Sequence, residues 1–151
     1  VGHFHYVMFG GAGFSILAGL HYWFPKITGR LYSEKYAKIG WLNLFIGFNL
    51  LYFSMFILGF QGMPRRYFDY PPEYFANHVA STVGSWFLAV GLVIIFANLI
   101  RSVFRGPKAP ANPWGGRTLE WTVPSPPPHE NFEQMPVVEQ GPYRYDEEAV
   151  R

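Results

Sequence analysis

The 151-residue sequence contains no cysteine and few charged residues. The lack of cysteine excludes disulfides and thiolate-ligated metal centres. Charged side chains make up 15% of the chain, whereas soluble globular domains average about 25%. The net charge of +2 gives no support for nucleic-acid binding. Half of the residues are hydrophobic and they are unevenly placed, in long apolar runs that are typical of a membrane protein.

Three long segments carry no charged side chain: the residues between His5 and Lys26, 39–64 and 75–100. Each reaches the roughly 20 apolar residues that a helix needs to cross a bilayer. We therefore predict an all-α fold, an integral membrane helical bundle fragment with spans at about 3–24, 39–60 and 75–100, the first ending at Pro25. Three buried helices of a large soluble protein are the alternative, which such long apolar runs disfavour. Because the chain begins at Val1 inside an apolar segment, we expect a piece of a larger subunit.

The loop charges predict the orientation of the three spans. The loop after the first span and the segment after the third lie on one membrane side, because two crossings separate them. That side has one acidic residue, Glu34, and seven basic ones: Lys26, Arg30, Lys35, Lys38, Arg101, Arg105 and Lys108. Cytoplasmic loops carry an excess of Lys and Arg. This side is therefore predicted to be cytoplasmic, and the head of the first span is predicted to lie toward the outer face.

Small residues recur at four-residue spacing in two of the spans, at Gly11, Ser15 and Gly19 and at Ser81, Ser85 and Ala89. Such stripes let another membrane helix approach closely. We expect packed neighbours, including helices that are absent from this chain.

The segment 106–151 differs in kind from the first 105 residues. It holds nine of the thirteen prolines and shows no helical or strand period. We predict two parts: a three-helix transmembrane segment over 1–105, and an extended, proline-rich cytoplasmic tail over 106–151. Trp114, Trp121 and Phe132 indicate that the tail docks on its own subunit or on a partner.

The first span opens with two histidines in "VGHFHYV". In a helix, residues two apart point about 200° from each other, so His3 and His5 face opposite sides and cannot chelate one metal ion together. Each can ligate a separate centre, with Phe4 at the turn between them, and histidine is the usual axial ligand of haem. Two interior histidines satisfied by hydrogen bonds are the alternative, and the spacing alone leaves both readings open.

Two adjacent arginines, Arg65 and Arg66, follow the second span in "GMPRRY". Interfacial anchoring is one interpretation. The other is a pair of guanidinium donors for carboxylates, such as the two propionates of a haem on the same membrane side. Tyr67, Asp69 and Tyr70 are candidates for fixing the arginines, with a plain surface acid as the alternative for Asp69. His21 and His78 lie near span ends and are predicted to be interfacial rather than liganding.

The chain resembles the C-terminal part of subunit I of haem–copper cytochrome c oxidases of the bacterial type. The motifs that carry the resemblance run through nearly the whole chain, in order: "HFHYVMFGG", "YWFPKITGR", "FIGFNL", "GMPRRYFDYP" and "NPWGGRTLEWTVPSPPPHENF". The three spans resemble the last three of that subunit. One departure lies in "FSMFILGF", where Ser54 and Phe56 stand in place of a proline and a histidine often found in the family.

The resemblance implies a role for each candidate residue. His3 matches the axial ligand of the high-spin haem, where oxygen is reduced, and His5 matches one of two axial ligands of the low-spin haem. Phe4 matches the residue between the haems, which with His3 makes up the catalytic assignment. Arg65 and Arg66 match the pair that contacts the haem propionates. The copper of the binuclear centre is held by residues outside this chain.

The resemblance also implies an enzyme, a proton-translocating cytochrome c oxidase that is active only as a larger complex in the bacterial cytoplasmic membrane. The implied cofactors are copper and two haems, for which type A is the first candidate and types B and O stay open. The implied partners are the remaining helices of subunit I, subunits II and III, cytochrome c, oxygen and membrane lipids, without nucleic acid. Two alternatives stay open: a haem–copper quinol oxidase, and a non-redox membrane scaffold or transporter fragment.

Overall fold

The computed structural model describes residues 1–66, 68–132 and 135–137. This part of the chain consists of helices and loops without a named strand, and contains three long helices: α1 (Gly2–Thr28), α2 (Glu34–Phe60) and α3 (Phe75–Arg105). All three are long and apolar enough to cross a membrane, which confirms the predicted all-α membrane-helix fold. Two short 3-10 turns, Pro72–Tyr74 and Leu119–Trp121, complete the helical elements.

Helix α1 changes its hydrogen-bonding pattern along its length. An α-helical turn, Gly2–His5, is followed by a π-helical segment, Tyr6–Gly13, and by the α-helix Phe14–Thr28. The predicted end at Pro25 is wrong, because Pro25 lies inside the helix. A proline so near the C-terminus removes only one intrahelical donor, and its carbonyl still accepts from the Gly29 N–H at 2.8 Å. Gly29, at φ +68°, ends the helix in the left-handed conformation that glycine tolerates.

Helices α2 and α3 extend beyond the predicted spans 39–60 and 75–100. Ser33 is the N-cap of α2, and Glu34 pairs with Lys38 at 3.0 Å in its first turn. An acidic residue at the N-terminus is favoured by the helix dipole. At its C-terminal end, α3 continues to Arg105. A basic residue in the last turn of a helix is favoured by the helix dipole. The uncharged run therefore identifies each helix without marking both of its ends.

The described residues form two compact units, Val1–Ala18 with Ser33–Ile100, and Gly19–Tyr32 with the described part of 101–151. In the first unit α2 and α3 pack antiparallel through glycines. Gly40 and Gly47 lie seven residues apart on α2, and Gly84 and Gly91 do so on α3. A Cβ added to Gly91 would stand 2.5 Å from the backbone nitrogen of Leu44. Only glycine permits so close an approach of two backbones.

Buried side chains extend this α2–α3 interface on both sides of the glycines. Leu44 and Ile95 are almost fully buried. Ser81 donates its hydroxyl to the Leu51 carbonyl at 3.2 Å, and the Asn98 amide donates to the Ser33 carbonyl at 2.9 Å. The Ser81 bond lies within the α2–α3 interface, and the Asn98 bond ties the N-cap of α2 to α3.

The predicted small-residue stripes coincide with this interface only at Ser81, which is buried. Ala89 is exposed, and no described atom lies within 4 Å of a Cβ added to Gly11. Large apolar side chains are exposed as well, among them Ile16, Phe53, Trp86 and Val93. Exposed apolar surface of this extent fits helices that face lipid or further transmembrane helices.

The second unit is built around Trp121, which is 2% exposed. Its indole N–H donates to the Tyr22 hydroxyl at 2.8 Å. Lys26 is also buried, and its ammonium donates to the carbonyls of Val123 at 2.7 Å and Ala111 at 2.9 Å. Residues 106–132 are thereby held against residues 19–32. The division into 1–105 and 106–151 stays a prediction, and 133–134 and 138–151 lie outside the described residues.

Candidate functional site

The three residues at the head of α1 have different surroundings. His5 is partly buried against α2, whereas His3 and Phe4 are exposed, Phe4 to 59%. This difference in environment is what a two-residue offset on an α-helical turn produces. The outward side chains of His3 and Phe4 are available to groups that lie outside the described part of the chain.

The imidazole of His5 is held on two sides. It stacks on the ring of Tyr52, with centroids 4.5 Å apart and planes 12° from parallel. Its Nδ1 lies 3.0 Å from the carbonyl oxygen of Val1. Because a carbonyl only accepts, this hydrogen bond places the ring proton on Nδ1 and leaves the lone pair on Nε2. Metal-ligating histidines commonly donate their other ring N–H to a backbone carbonyl in this way, so His5 fits an axial haem ligand.

Packing against α2 fixes the position of the N-terminal end of α1 and its rotation about the helix axis. Gly2 is buried, and a Cβ there would stand 3.0 Å from the Tyr52 carbonyl. One turn further on, the Tyr6 hydroxyl donates to Oδ1 of Asn49 at 2.9 Å. Tyr6 opens the π-helical segment, and π-helical segments occur often at functional sites. The two histidines are therefore carried on a turn that is anchored on both sides.

The arginine pair lies beside a cavity of about 400 Å³ at the Phe60 end of α2. Arg65 and Arg66 line it together with apolar residues such as Met55 and Leu58. Arg66 has φ +61°, a left-handed conformation that non-glycine residues adopt seldom. Two guanidinium groups beside an apolar cavity form a place where the carboxylate of a largely apolar molecule can be held.

Of the residues predicted to fix the arginines, Tyr70 lies beside them at the cavity and Asp69 does not line it. Asp69 accepts a hydrogen bond from the backbone N–H of Tyr70 at 2.8 Å, and Tyr70 lines the cavity with the arginines. Tyr67 lies outside the described residues.

Sequence reasoning missed His78 as a part of this site. It lines the same cavity as Arg65 and Arg66, and its ring stacks on Tyr70 with centroids 4.0 Å apart. Its Nε2 atom is buried without a hydrogen-bond partner among the described residues. The signal available in the sequence was its position in the first turn of α3, shortly after the arginines.

No group of three or more His, Asp or Glu side chains able to hold a metal ion occurs in 1–66, 68–132 and 135–137.

Comparison with known proteins decides which family has this arrangement. The family model described as "Cytochrome C and Quinol oxidase polypeptide I" matches residues 1–109. The chain belongs to this family.

Named relatives of the chain are subunits of oxidases. Cytochrome c oxidase subunit 1 of Synechocystis sp. is 43% identical over 100% of this chain and 29% of its own length. That of Bacillus sp. (strain PS3) is 47% identical over 91% of this chain and 23% of its own length. The haem–copper oxidase subunit I+III of Aeropyrum pernix is 42% identical over 91% of this chain and 17% of its own length.

The chain thus spans less than a third of the length of these curated relatives. Membership of the oxidase polypeptide I family implies haem and copper as cofactors in general, and implies further helices of the same subunit and other oxidase subunits as neighbours. It also agrees with the three helices able to span a membrane. The predicted resemblance to subunit I of haem–copper oxidases is confirmed.

Proposed function

We propose that the chain forms part of the catalytic subunit of a terminal respiratory oxidase and ligates both of its haems. His3 is the axial ligand of the high-spin haem and His5 one axial ligand of the low-spin haem. The observation that carries this proposal is the different placement of two histidines on one helical turn: His5 is tied to Val1 and Tyr52, while His3 is exposed. Two ligands so arranged hold two centres at a short and rigid separation.

Phe4, between the two ligands, has an exposed ring in edge contact with His5 at a centroid distance of 5.4 Å. It separates the two centres with an apolar side chain and excludes water from the space between them. The anchoring of Gly2 and Tyr6 on α2 keeps the spacing constant, which suits electron transfer between fixed cofactors.

Arg65 and Arg66 neutralise the propionate carboxylates of the haems. Charge-assisted hydrogen bonds from guanidinium to carboxylate are roughly twice as strong as neutral ones. Their position beside an apolar cavity lets the charged edge of a haem meet the arginines while its body stays among apolar side chains.

The haems, of type A, and the copper supply the reduction of oxygen to water when bound, and the copper ligands come from residues outside this chain. Cytochrome c is the proposed electron donor, and subunits II and III are the proposed partners. Proton pumping is proposed for the whole complex in a bacterial cytoplasmic membrane. The seven basic residues against one acid on one membrane side support a cytoplasmic tail.

Quinol is the second candidate donor, because the matching family covers both cytochrome c and quinol oxidases. Relatives named cytochrome c oxidase subunit 1, at 43% and 47% identity, favour cytochrome c. A dinuclear copper site in the copurifying subunit II supports cytochrome c as the donor, and a subunit II without copper supports quinol.

Single-histidine variants of the intact oxidase test the ligand assignment. We expect His3→Ala to abolish the high-spin haem signal and oxygen reduction, and His5→Ala to remove the low-spin haem band, both read in reduced-minus-oxidised optical spectra. His129→Ala is the matched control, because His129 is a fully solvated tail residue whose side chain is 98% exposed. Retention of both haems and full turnover in either ligand variant refutes that assignment.

A further inference from the structure

We propose that His78 is a third carboxylate-binding residue of the arginine cavity, where its imidazole donates a hydrogen bond to the haem propionate that Arg65 or Arg66 neutralises. This inference rests on the proposed function and adds a positioning residue to it. Nothing in the pattern of the sequence separates His78 from an ordinary interfacial histidine, so the argument depends on where the fold places it.

The fold brings His78 to the arginines from a different element. Arg65 and Arg66 lie in the loop after α2, whereas His78 lies in the first turn of α3. All three line one cavity of about 400 Å³. Donors that converge on one cavity from two elements are the usual way in which a pocket fixes the orientation of a polar group.

The strongest sign of a missing partner is the Nε2 atom of His78. This atom is buried and has no hydrogen-bond partner in the described part of the chain. Buried polar atoms in native proteins are nearly always paired, since an unpaired one has lost its water without compensation. The imidazole therefore keeps an unused hydrogen-bonding nitrogen at the wall of the cavity, which a bound oxygen acceptor can engage once the side chains that cover it move aside.

Local contacts hold the His78 ring and the surrounding loop in place before any group binds. Tyr70 stacks on the ring with planes 28° from parallel. The Tyr74 hydroxyl donates to the Gln61 carbonyl at 3.1 Å, and the Asn77 amide donates to the Gln61 side chain at 3.3 Å. These bonds tie the start of α3 to the end of α2, so the wall of the cavity that carries His78 is fixed before any group binds.

The chemistry of the cavity selects a carboxylate on an apolar body. Two guanidinium groups can donate charge-assisted hydrogen bonds to an anion, whereas Met55, Leu58 and Met63 supply apolar wall. A free inorganic anion would leave that wall in contact with water, while a haem edge covers it and presents its propionate to the donors. The shape and the charge of the cavity thus point to the same occupant.

Substitutions at His78 in the intact oxidase test the proposal. His78→Phe keeps a ring against Tyr70 and removes both nitrogens, whereas His78→Gln restores a donor without the ring. The readouts are the carboxylate bands in redox-induced infrared difference spectra and the midpoint potential of each haem. A lost donor leaves more negative charge near the iron and favours the oxidised haem. We expect His78→Phe to shift a propionate band and to change the reduction equilibrium of one haem by up to about tenfold, or about 59 mV for one electron.

We expect His78→Gln to return both readouts toward the parent, and His129→Phe, at an exposed tail position, to change neither. Parent-like bands and potentials in His78→Phe, or equal shifts in the Phe and Gln variants, overturn the proposal. If His78→Phe fails to assemble, His78→Leu makes the same test with less bulk. Loss of the low-spin band in His5→Ala supports the proposed function whatever the His78 variants do, so the two failures are distinguishable.

Discussion

The imidazole of His5 lies flat against the ring of Tyr52, with centroids 4.5 Å apart and the planes 12° from parallel. Together with the Nδ1 bond to the Val1 carbonyl, this contact favours one orientation of the ring. Partners of this kind orient a metal ligand and tune the metal that it binds. Tyr52 is therefore a positioning residue for the proposed low-spin haem.

Removing the ring of residue 52 should disturb the His5 ligand without removing it. An aromatic stack contributes about 0.5–1.5 kcal/mol beyond its buried area, and without it the His5 ring is held less firmly in one orientation. We therefore expect Tyr52→Leu to broaden and shift the low-spin electron paramagnetic resonance signal. Tyr52→Phe keeps the stack and is the matched control, expected to give the parent signal. A parent signal in Tyr52→Leu would show that the stack does not orient the ligand.

The glycine contact between α2 and α3 makes a prediction about assembly. In Gly47→Ala the new Cβ would meet the Leu88 backbone nitrogen and stand 2.7 Å from the Gly84 carbonyl, so the helices must separate. We expect a loss of about 1–3 kcal/mol, measured as a lower temperature of haem release.

Gly11→Ala is the matched control for Gly47→Ala, because a Cβ added to Gly11 meets no described atom within 4 Å and Gly11 does not line the cavity beside the arginines. It should retain the parent stability. Equal losses in the two variants would contradict a specific close contact at Gly47.

The sequence predicts the helices better than their ends or their partners. Uncharged runs identify α1, α2 and α3, because the cost of burying charge in a bilayer is large and local. The end of α1 depends instead on the left-handed Gly29, and a proline three residues from a helix end is compatible with both outcomes.

The candidate site shows the same division between local and distant information. The opposed placement of His3 and His5 follows from helix geometry alone, which is a local property. His78 and Tyr52 approach the site only through packing between helices. The hydrophobic periodicity of the sequence does not predict which residues of different helices meet. The seven-residue spacing of glycines at 40, 47, 84 and 91 was a readable signal of the α2–α3 contact.

The buried lysine of the second unit makes a prediction about the tail. The Lys26 ammonium donates to the carbonyls of Ala111 and Val123 and lies 5.0 Å from the centroid of the Trp121 ring. Hydrogen bonds to a charged group contribute about 1.5–3 kcal/mol each. We expect Lys26→Met to release residues 106–132 to limited proteolysis in the intact complex at least several times faster than in the parent.

The exposed Lys38 provides the control for Lys26→Met. Its side chain is 78% exposed and pairs only with Glu34 among the described contacts, so Lys38→Met should leave the cleavage rate unchanged. An unchanged rate in Lys26→Met would mean that other contacts, such as the bond from the Trp114 indole to the Tyr22 carbonyl at 2.9 Å, suffice to hold the tail.

The hydrogen bond between Tyr6 and Asn49 should couple the head of α1 to α2 energetically. Tyr6→Phe removes the donor and Asn49→Leu removes the acceptor of the 2.9 Å bond, and each should lower the temperature of haem release. Because both variants break the same bond, the double variant should lose less than the sum of the single losses, by about 0.5–1.5 kcal/mol. Additive losses would show that the two side chains act independently. The low-spin haem spectrum should change in Tyr6→Phe if the Tyr6–Asn49 bond supports the proposed ligand His5. It should not change in Ser85→Ala, which removes only an exposed hydrogen bond to the Thr82 carbonyl.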